Sequence, residues 1–188
     1  MGYLRLLPHP LIVQHTELKA IEASSQHLLQ LVVALLDYHK LEAGKEVVHN
    51  APTHINKVLQ NVSDAFLPIA QQKGVALSTN LCLPTALWAD ADALRLQQIV
   101  ENLMSNAVKY TAHGQITLSA KWDAQTAQLN LSVTDTGCGM TQYDLDRIFN
   151  PFTRVKGSEG HEGSGLGLSI THKLVELLGL VSWARRCV

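Results

Sequence analysis

A stretch of apolar positions at helical spacing is the first clear pattern along the chain. Between Thr16 and Leu41 apolar residues recur every three or four positions, at Leu18, Ile21, Leu28, Val32 and Leu35, with Leu29, Val33 and Leu36 beside them. This stripe predicts one long amphipathic helix, and Glu42–Lys45, which contains a glycine, predicts its end. Periodicity alone fits a helix of a bundle or hairpin as well as a core helix of a monomer.

After this helix the pattern changes from all-helical to mixed. We predict a loop at His49–Thr53, a helix at Ile55–Gln72 and a strand at Val75–Leu81. The next helix is predicted to be capped by Asp90, to have Asp92 in its first turn and to run to Tyr110. Strands at Gln115–Trp122 and Gln128–Thr134, a short helix at Asp144–Phe149 and a helix at Leu166–Leu178 follow. The two later strands are separated by a four-residue turn, which predicts a hairpin. The pattern therefore predicts a domain that contains both helices and strands.

Composition and charge narrow the class of protein. With 188 residues, 46% hydrophobic, 16% charged and a net charge of -1, the chain fits an ordinary globular domain with a small helical appendage. Fifteen Lys and Arg balance sixteen Asp and Glu, and their largest cluster is the pair Arg185–Arg186, so we expect no nucleic-acid partner. Cys82, Cys138 and Cys187 show no CxxC spacing, as is typical of a reducing compartment.

Membrane and secretion signals are weak. No apolar run approaches the roughly 20 residues that span a bilayer, and the first ten residues are broken by Arg5 and two prolines. We therefore expect a cytoplasmic chain without a membrane segment.

The helix that ends at Tyr110 carries the first candidate chemistry. Asn102, Asn106 and Lys109 fall at i, i+4 and i+7, within about 60° of one another on the helix surface. An amide oxygen is a suitable hard ligand for Mg²⁺, and a lysine ammonium is a point charge for phosphate. The same spacing also fits an ordinary solvated helix face. The opposite, buried side is predicted to consist of Leu96, Val100, Leu103 and Ala107.

A first glycine-rich segment, DTGCGM at Asp135–Met140, directly follows a predicted strand. Gly137 and Gly139 permit a close backbone approach that side chains would block, and the Asp135 carboxylate can accept a hydrogen bond from an exocyclic amine such as that of adenine. An ordinary Asp-Gly turn fits the same residues.

A second glycine-rich segment, GSGLGL at Gly163–Leu168, opens the last predicted helix. Backbone N–H groups and the helix dipole at such a start can hold phosphate oxygens. A dinucleotide-binding Rossmann motif fails on context, because these glycines follow a long loop close to the chain end instead of the first strand of a βαβ unit.

In this order the segments resemble the ATP-binding domain of sensor histidine kinases, within the wider group that includes DNA gyrase, a heat-shock chaperone family and the MutL mismatch-repair proteins. The resemblance lies in Gln97–Thr111 (asparagine box), Asp135–Met140 (first glycine box), Ile148–Arg154 (phenylalanine box) and Gly163–Ile170 (second glycine box). His27–Lys45 is similar to the second helix of the family's dimerisation hairpin, which favours packing in a bundle.

The resemblance implies a Bergerat-type α+β sandwich, with helices on a mixed, mainly antiparallel sheet and ATP between the layers. Residues 1–45 would be a partial dimerisation hairpin without the phosphoacceptor box, and residues 46–188 the ATP-binding domain with its C-terminal strands truncated. Asn106 would coordinate Mg²⁺, assisted by Asn102 and Lys109. The remaining nucleotide contacts would be Tyr110, Asp135, Gly137, Gly139, Gly163, Gly165, Leu166 and Gly167. Thr153–Glu162 would form a mobile lid over ATP.

For activity, the resemblance implies transfer of the γ-phosphoryl group of Mg-ATP to a histidine on a hairpin helix and onward to a response regulator. Such catalysis is mostly positioning and charge neutralisation, so we predict no catalytic nucleophile or base. The ATPases of the wider group place a general-base Glu four residues before the metal-binding Asn, where this chain has Asn102. Glu101 points about 100° away, which disfavours hydrolysis.

Both ends depart from the family pattern. The acceptor box is missing, and His15 is a poor substitute because Glu17 does not directly follow it and no Thr-Pro comes after. After Leu178 the chain has room for at most one short strand. An alternative function is therefore a non-catalytic ATP-binding or dimerising fragment that regulates a kinase. A homodimer through the N-terminal helix is expected in either case, and a cytoplasmic location whether or not the parent kinase is anchored in a membrane.

Overall fold

The computed structural model of the chain describes residues 10–154 and 164–179. Its elements are α1 (Pro10–Glu42), β1 (Ala51–His54), α2 (Ile55–Gln72), β2 (Val75–Cys82), β3 (Trp88–Ala91), α3 (Ala93–Tyr110), β4 (Gly114–Asp123), β5 (Gln128–Asp135), α4 (Gln142–Leu145) and α5 (Gly167–Leu177). This arrangement confirms the predicted α+β fold. Gly163, most of the predicted lid and everything after Gly179 lie outside the described residues, so the prediction of truncated C-terminal strands stays a prediction.

The N-terminal helix α1 is apolar on two sides. One side contributes Ala34, Tyr38 and Leu41 to an apolar cluster with α3 and α5. The other side exposes large apolar residues by 36% to 64%, namely Leu18, Ile21, Leu28, Leu29, Val32, Val33, Leu35 and Leu36. The helix ends where predicted, because the N–H groups of Ala43 and Gly44 turn back to carbonyls of its last turn. None of the described helices is both long and apolar enough to cross a membrane.

The strands form two separate sheets. In the larger sheet β4 lies between β2, which is parallel to it, and β5, which is antiparallel. In the smaller sheet β1 and β3 pair antiparallel, from Ala51 opposite Ala91 to His54 opposite Trp88. The predicted loop at His49–Thr53 is therefore wrong in part. Four residues carry too little alternation to reveal a strand, and the partner strand lies beyond α2 and β2 in the sequence.

Helices α2 and α3 cover one face of the three-stranded sheet. Their buried residues meet Ile116, Leu118 and Ala120 of β4 in one core, which includes Ile55, Leu59, Val62, Leu96, Val100, Met104 and Ala107. Full burial of each large aliphatic side chain contributes roughly 1.5–3 kcal/mol. Leu103 departs from our prediction, because it packs with Ile99 against α1 and α5 instead of against the sheet. Helix α3 is thus buried on two sides, which leaves only a narrow polar edge.

Helix α3 begins two residues later than predicted. The N-cap is Asp92, whose carboxylate accepts hydrogen bonds from the backbone N–H of Arg95 at 3.1 Å and of His49 at 2.9 Å. Asp90, the predicted cap, lies in β3, where pairing with β1 holds its backbone extended. Asp90 and Asp92 alternate with alanines, so the sequence allows either of them to cap the helix. The pairing of β3 with β1 decides for Asp92. The short helix predicted at Asp144–Phe149 is also wrong in its bounds, since α4 spans Gln142–Leu145. It begins two residues earlier because Thr141 and Asp144 form a capping box.

Candidate nucleotide-binding site

Most of the predicted site residues line one large open groove, whose lining also extends onto α1 and along the sheet. It is lined by Asn102, Asn106, Lys109, Tyr110, Asp135, Gly139, Gly165 and Gly167, among others. These residues come from α3, from the end of β5 and from the start of α5, and they are distant in sequence. The fold therefore brings together the asparagine helix and the described parts of both glycine-rich segments.

The polar edge of α3 forms one wall of the groove. Asn102, Asn106 and Lys109 are each half-buried and line the groove, which rules out a fully solvated helix face. The Lys109 ammonium lies 4.9 Å from the centre of the Tyr110 ring. A cation over an aromatic face is attracted by the ring's quadrupole, which restrains both side chains at this end of the helix.

The carboxylate of Asp135 lies at the end of β5, on the face of the sheet that α2 and α3 cover. Its Oδ1 accepts the N–H of Gly137 at 2.8 Å, which fixes the orientation of the group. A carboxylate retains further lone pairs that can accept from an amine of a ligand. The arrangement is more specific than an ordinary Asp-Gly turn, because the oriented carboxylate lines the groove.

Gly137 is required by close packing. A methyl group placed on its Cα would lie 2.6 Å from the carbonyl oxygen of Tyr110 and 2.7 Å from Oδ1 of Asp135. Real Cβ atoms do not approach oxygen so closely, so only glycine lets the first glycine-rich segment lie against the end of α3.

The second glycine-rich segment places the start of α5 at the other end of the groove. No side chain in the described part of the chain caps this helix. The first N–H groups of a helix can bind an anion. A methyl group placed on Gly167 would lie 3.5 Å from Oδ1 of Asn102, which shows how closely the helix start approaches α3. Leu166 differs from the prediction in one respect: its side chain is buried, and its N–H is bonded to the Ser164 hydroxyl.

The approach to this helix start depends on Gly165. Its backbone has a φ of 70°, and a methyl group there would lie 2.9 Å from the carbonyl carbon of Phe152. The Phe152 N–H donates to the Gly165 carbonyl at 3.0 Å, and the Phe149 ring lies 5.1 Å from that of His172 on α5. The phenylalanine segment is thereby attached to the second glycine-rich segment.

The groove also contains residues that we did not predict. Met140, Phe149 and Leu168 line it and supply an apolar surface for a planar base. Met140 and Leu168 directly follow the glycines of their segments, so a signal for them was present in the sequence. Glu101 is not among the lining residues, and its Oε1 accepts the side-chain N–H of Gln97 at 2.7 Å.

The donor set suits both Mg²⁺ and ATP. Asn106 offers a neutral hard oxygen, which binds Mg²⁺ best when phosphates supply the other ligands. The lysine and the helix start suit phosphate, and the carboxylate with its apolar neighbours suits the amine and ring of adenine.

Comparison with known proteins identifies the family. A family model described as histidine kinase-, DNA gyrase B- and HSP90-like ATPase matches residues 91–186, and the chain belongs to this family. It is 36% identical over 186 residues to the sensor protein GacS of Pseudomonas syringae pv. syringae, covering 95% of the chain and 20% of GacS. It is 35% identical over 171 residues to the signal transduction histidine-protein kinase BarA of Escherichia coli K12, covering 88% and 19%. The chain spans about a fifth of the length of these curated relatives.

Solved structures agree in fold. Full-length ShkA, determined in complex with AMPPNP, superposes with a TM-score of 0.76 at 34% identity, covering 88% of this chain and 34% of ShkA. The histidine kinase AdeS of Acinetobacter baumannii gives a TM-score of 0.70 at 22% identity, covering 91% and 75%, and shows the shared fold alone. The chain therefore carries a catalytic domain of the histidine kinase type.

Proposed function

We propose that this chain binds Mg-ATP and positions its γ-phosphoryl group for transfer to a histidine on a hairpin helix, from which a response regulator receives it. The observation that carries the proposal is the groove itself, which joins the amide edge of α3, the oriented carboxylate of Asp135 and a helix start that no described side chain caps. The AMPPNP complex of ShkA, the structural relative at 34% identity, supports the same class of ligand.

Each end of the groove has its own part in this proposal. Asp135 accepts the adenine amine, Gly137 and Gly139 let the backbone approach the base, and Tyr110 flanks it. Asn106 holds Mg²⁺, which neutralises the charge of the phosphates, while Asn102 and Lys109 assist on the same edge. Gly165 and Gly167 form the phosphate end. Gly163 lies outside the described residues, and its assignment to this end, like that of Leu166, rests on the resemblance alone.

Transfer to a protein side chain fits the groove better than hydrolysis. Hydrolysis needs a base close to the attacking water, and Asn102 is an amide that cannot serve as one. Glu101 is held by Gln97 outside the groove lining. The site can orient ATP and stabilise charge, which is the greater part of catalysis in phosphoryl transfer.

Radiolabelled ATP tests this proposal. Incubated with Mg²⁺ and γ-labelled ATP, the chain is expected to label a separately supplied hairpin fragment that carries a histidine acceptor box. The label should be acid-labile and alkali-stable, as a phosphohistidine is. Release of inorganic phosphate at a rate above that of labelling would contradict transfer as the main reaction. ATP binding without any labelling would favour the regulatory fragment instead.

We further propose that the exposed face of α1 pairs with the same face of a second copy. Its apolar residues repeat at three- and four-residue spacing, which is the pattern of helices that pack in bundles. An exposed apolar stripe of this length is unusual on a monomer. A second copy would cover it with an identical, complementary stripe.

Charged substitutions on this face are expected to separate the dimer. Leu28→Glu combined with Val32→Glu places two carboxylates in the apolar stripe, so the mass measured by sedimentation should fall from twice that of the chain to that of one chain. Gln26→Glu combined with Gln30→Glu adds the same charge at exposed polar positions and should leave the dimer intact. A wild-type chain that stays monomeric at tens of micromolar would refute the pairing.

A further inference from the structure

Lys73 reaches from the end of α2 to the last turn of α3. Its ammonium donates hydrogen bonds to the carbonyl oxygens of Val108, at 2.5 Å, and Lys109, at 2.9 Å. Lys73 itself is the C-cap residue of α2, and its backbone N–H bonds back into the last turn of that helix. The side chain therefore extends from a fixed backbone position.

The two carbonyls are ones that a helix cannot satisfy itself. The last four carbonyls of a helix lack intrahelical partners, and together they carry the negative end of its dipole. In α3 the carbonyl of Ala107 accepts the N–H of Thr111 at 3.0 Å, and Lys73 supplies donors for the next two. A positive charge at this end also opposes the helix dipole favourably.

This last turn of α3 belongs to the candidate site. Lys109 lines the groove with its side chain while its carbonyl bonds to Lys73. Tyr110, the next residue, presents its ring to the Lys109 ammonium and its carbonyl to Gly137. A shift of this turn would move the Lys109 ammonium, which we assign to phosphate, and the Tyr110 ring and Gly137, which we assign to the adenine. Lys73 itself is not among the residues that line the groove.

We propose that Lys73 is a positioning residue for the nucleotide site, which acts through the last turn of α3 without contacting the nucleotide. The inference rests on the proposed function, because it concerns how the same groove holds Mg-ATP. It predicts that affinity for nucleotide depends on a surface lysine at the end of a different helix.

Affinity for Mg-AMPPNP, measured by calorimetry on the full chain, tests the inference. Lys73→Met keeps the aliphatic stem but removes the charge and the donors, and is expected to weaken binding about fivefold to tenfold. Lys73→Arg retains charge and donors and should restore affinity to within about threefold of wild type. Lys57→Met, at an exposed lysine on the same helix, is the matched control and should bind as wild type does.

A double-mutant cycle separates positioning from a general loss of stability. In a Lys109→Met background, Lys73→Met should cost less than half of its effect in the wild-type background, because one of the groups that it positions is already absent. Equal losses in both backgrounds, or unchanged affinity of Lys73→Met, would overturn the inference. Binding of Mg-AMPPNP by the wild-type chain, measured in the same series, shows separately whether the proposed function holds.

Discussion

Asp135→Asn is expected to weaken binding of Mg-ATP by about 30- to 100-fold, with the fold intact. The carboxylate accepts the adenine amine in our proposal, and a hydrogen bond to a charged group contributes about 1.5–3 kcal/mol. Asparagine has a similar shape but can satisfy the Gly137 N–H and the adenine amine only with its single oxygen. If the asparagine oxygen keeps the hydrogen bond from the Gly137 N–H, the side-chain NH₂ group faces the adenine amine, and two donors then meet.

Calorimetric titration with Mg-AMPPNP measures this loss, and thermal unfolding without nucleotide shows whether the variant folds. Asp64→Asn is the matched control, since Asp64 is exposed on α2 and accepts only a side-chain hydrogen bond from Gln60 one turn earlier among the contacts described. It should bind as tightly as wild type. Equal affinity of Asp135→Asn and wild type would remove the adenine end of the proposed site.

Asn106→Ala is expected to reduce phosphoryl transfer by about 1,000-fold or more. A metal ion on the phosphates supplies several kcal/mol of charge stabilisation, and loss of about 4 kcal/mol corresponds to this factor. The amide oxygen is the group that we assign to Mg²⁺. ATP affinity should also become nearly the same in Mg²⁺ and in EDTA, because the Asn106 amide contributes to ATP binding only through the metal.

Labelling of a supplied acceptor fragment by γ-labelled ATP measures the rate of transfer, and calorimetry with and without Mg²⁺ measures the metal dependence. Asn61→Ala, at an exposed asparagine on α2, should change neither quantity. Asn106→Ala with a normal rate, or with its Mg²⁺ dependence intact, would show that another group holds the metal.

Periodicity in the sequence was sufficient to predict the two helices that cover the larger sheet, one of which carries the asparagine edge of the site. Both α2 and α3 have apolar residues at helical spacing over five turns, and their observed ends agree with the predicted ends except at the start of α3. The pair β1 and β3 was missed because each strand has only four residues, and because α2 and β2 separate the two strands in the sequence. The displaced cap at Asp90 follows from the same omission, since β3 occupies that residue.

The candidate site was predictable in its residues but not in its contacts. Order along the chain identified the asparagine helix and both glycine-rich segments. Spacing could not show that Gly137 lies against the Tyr110 carbonyl, or that Leu166 faces the core instead of the groove. Lys73 was absent from the prediction for the same reason, because a lysine before a turn glycine shows nothing about which helix its side chain will reach. The contact made by Lys73 depends on the packing of α2 against α3.

Backbone amide chemical shifts of the chain, followed during titration with Mg-AMPPNP, show whether ATP binds in this groove. If ATP binds in this groove, saturable changes are expected at Asn106, Lys109, Gly137, Gly139 and Gly167. Little change is expected at Ser78 and Thr117, which pair on the opposite face of the sheet. Changes confined to other surfaces, or none at millimolar ligand, would contradict the assignment of this groove as the site of ATP.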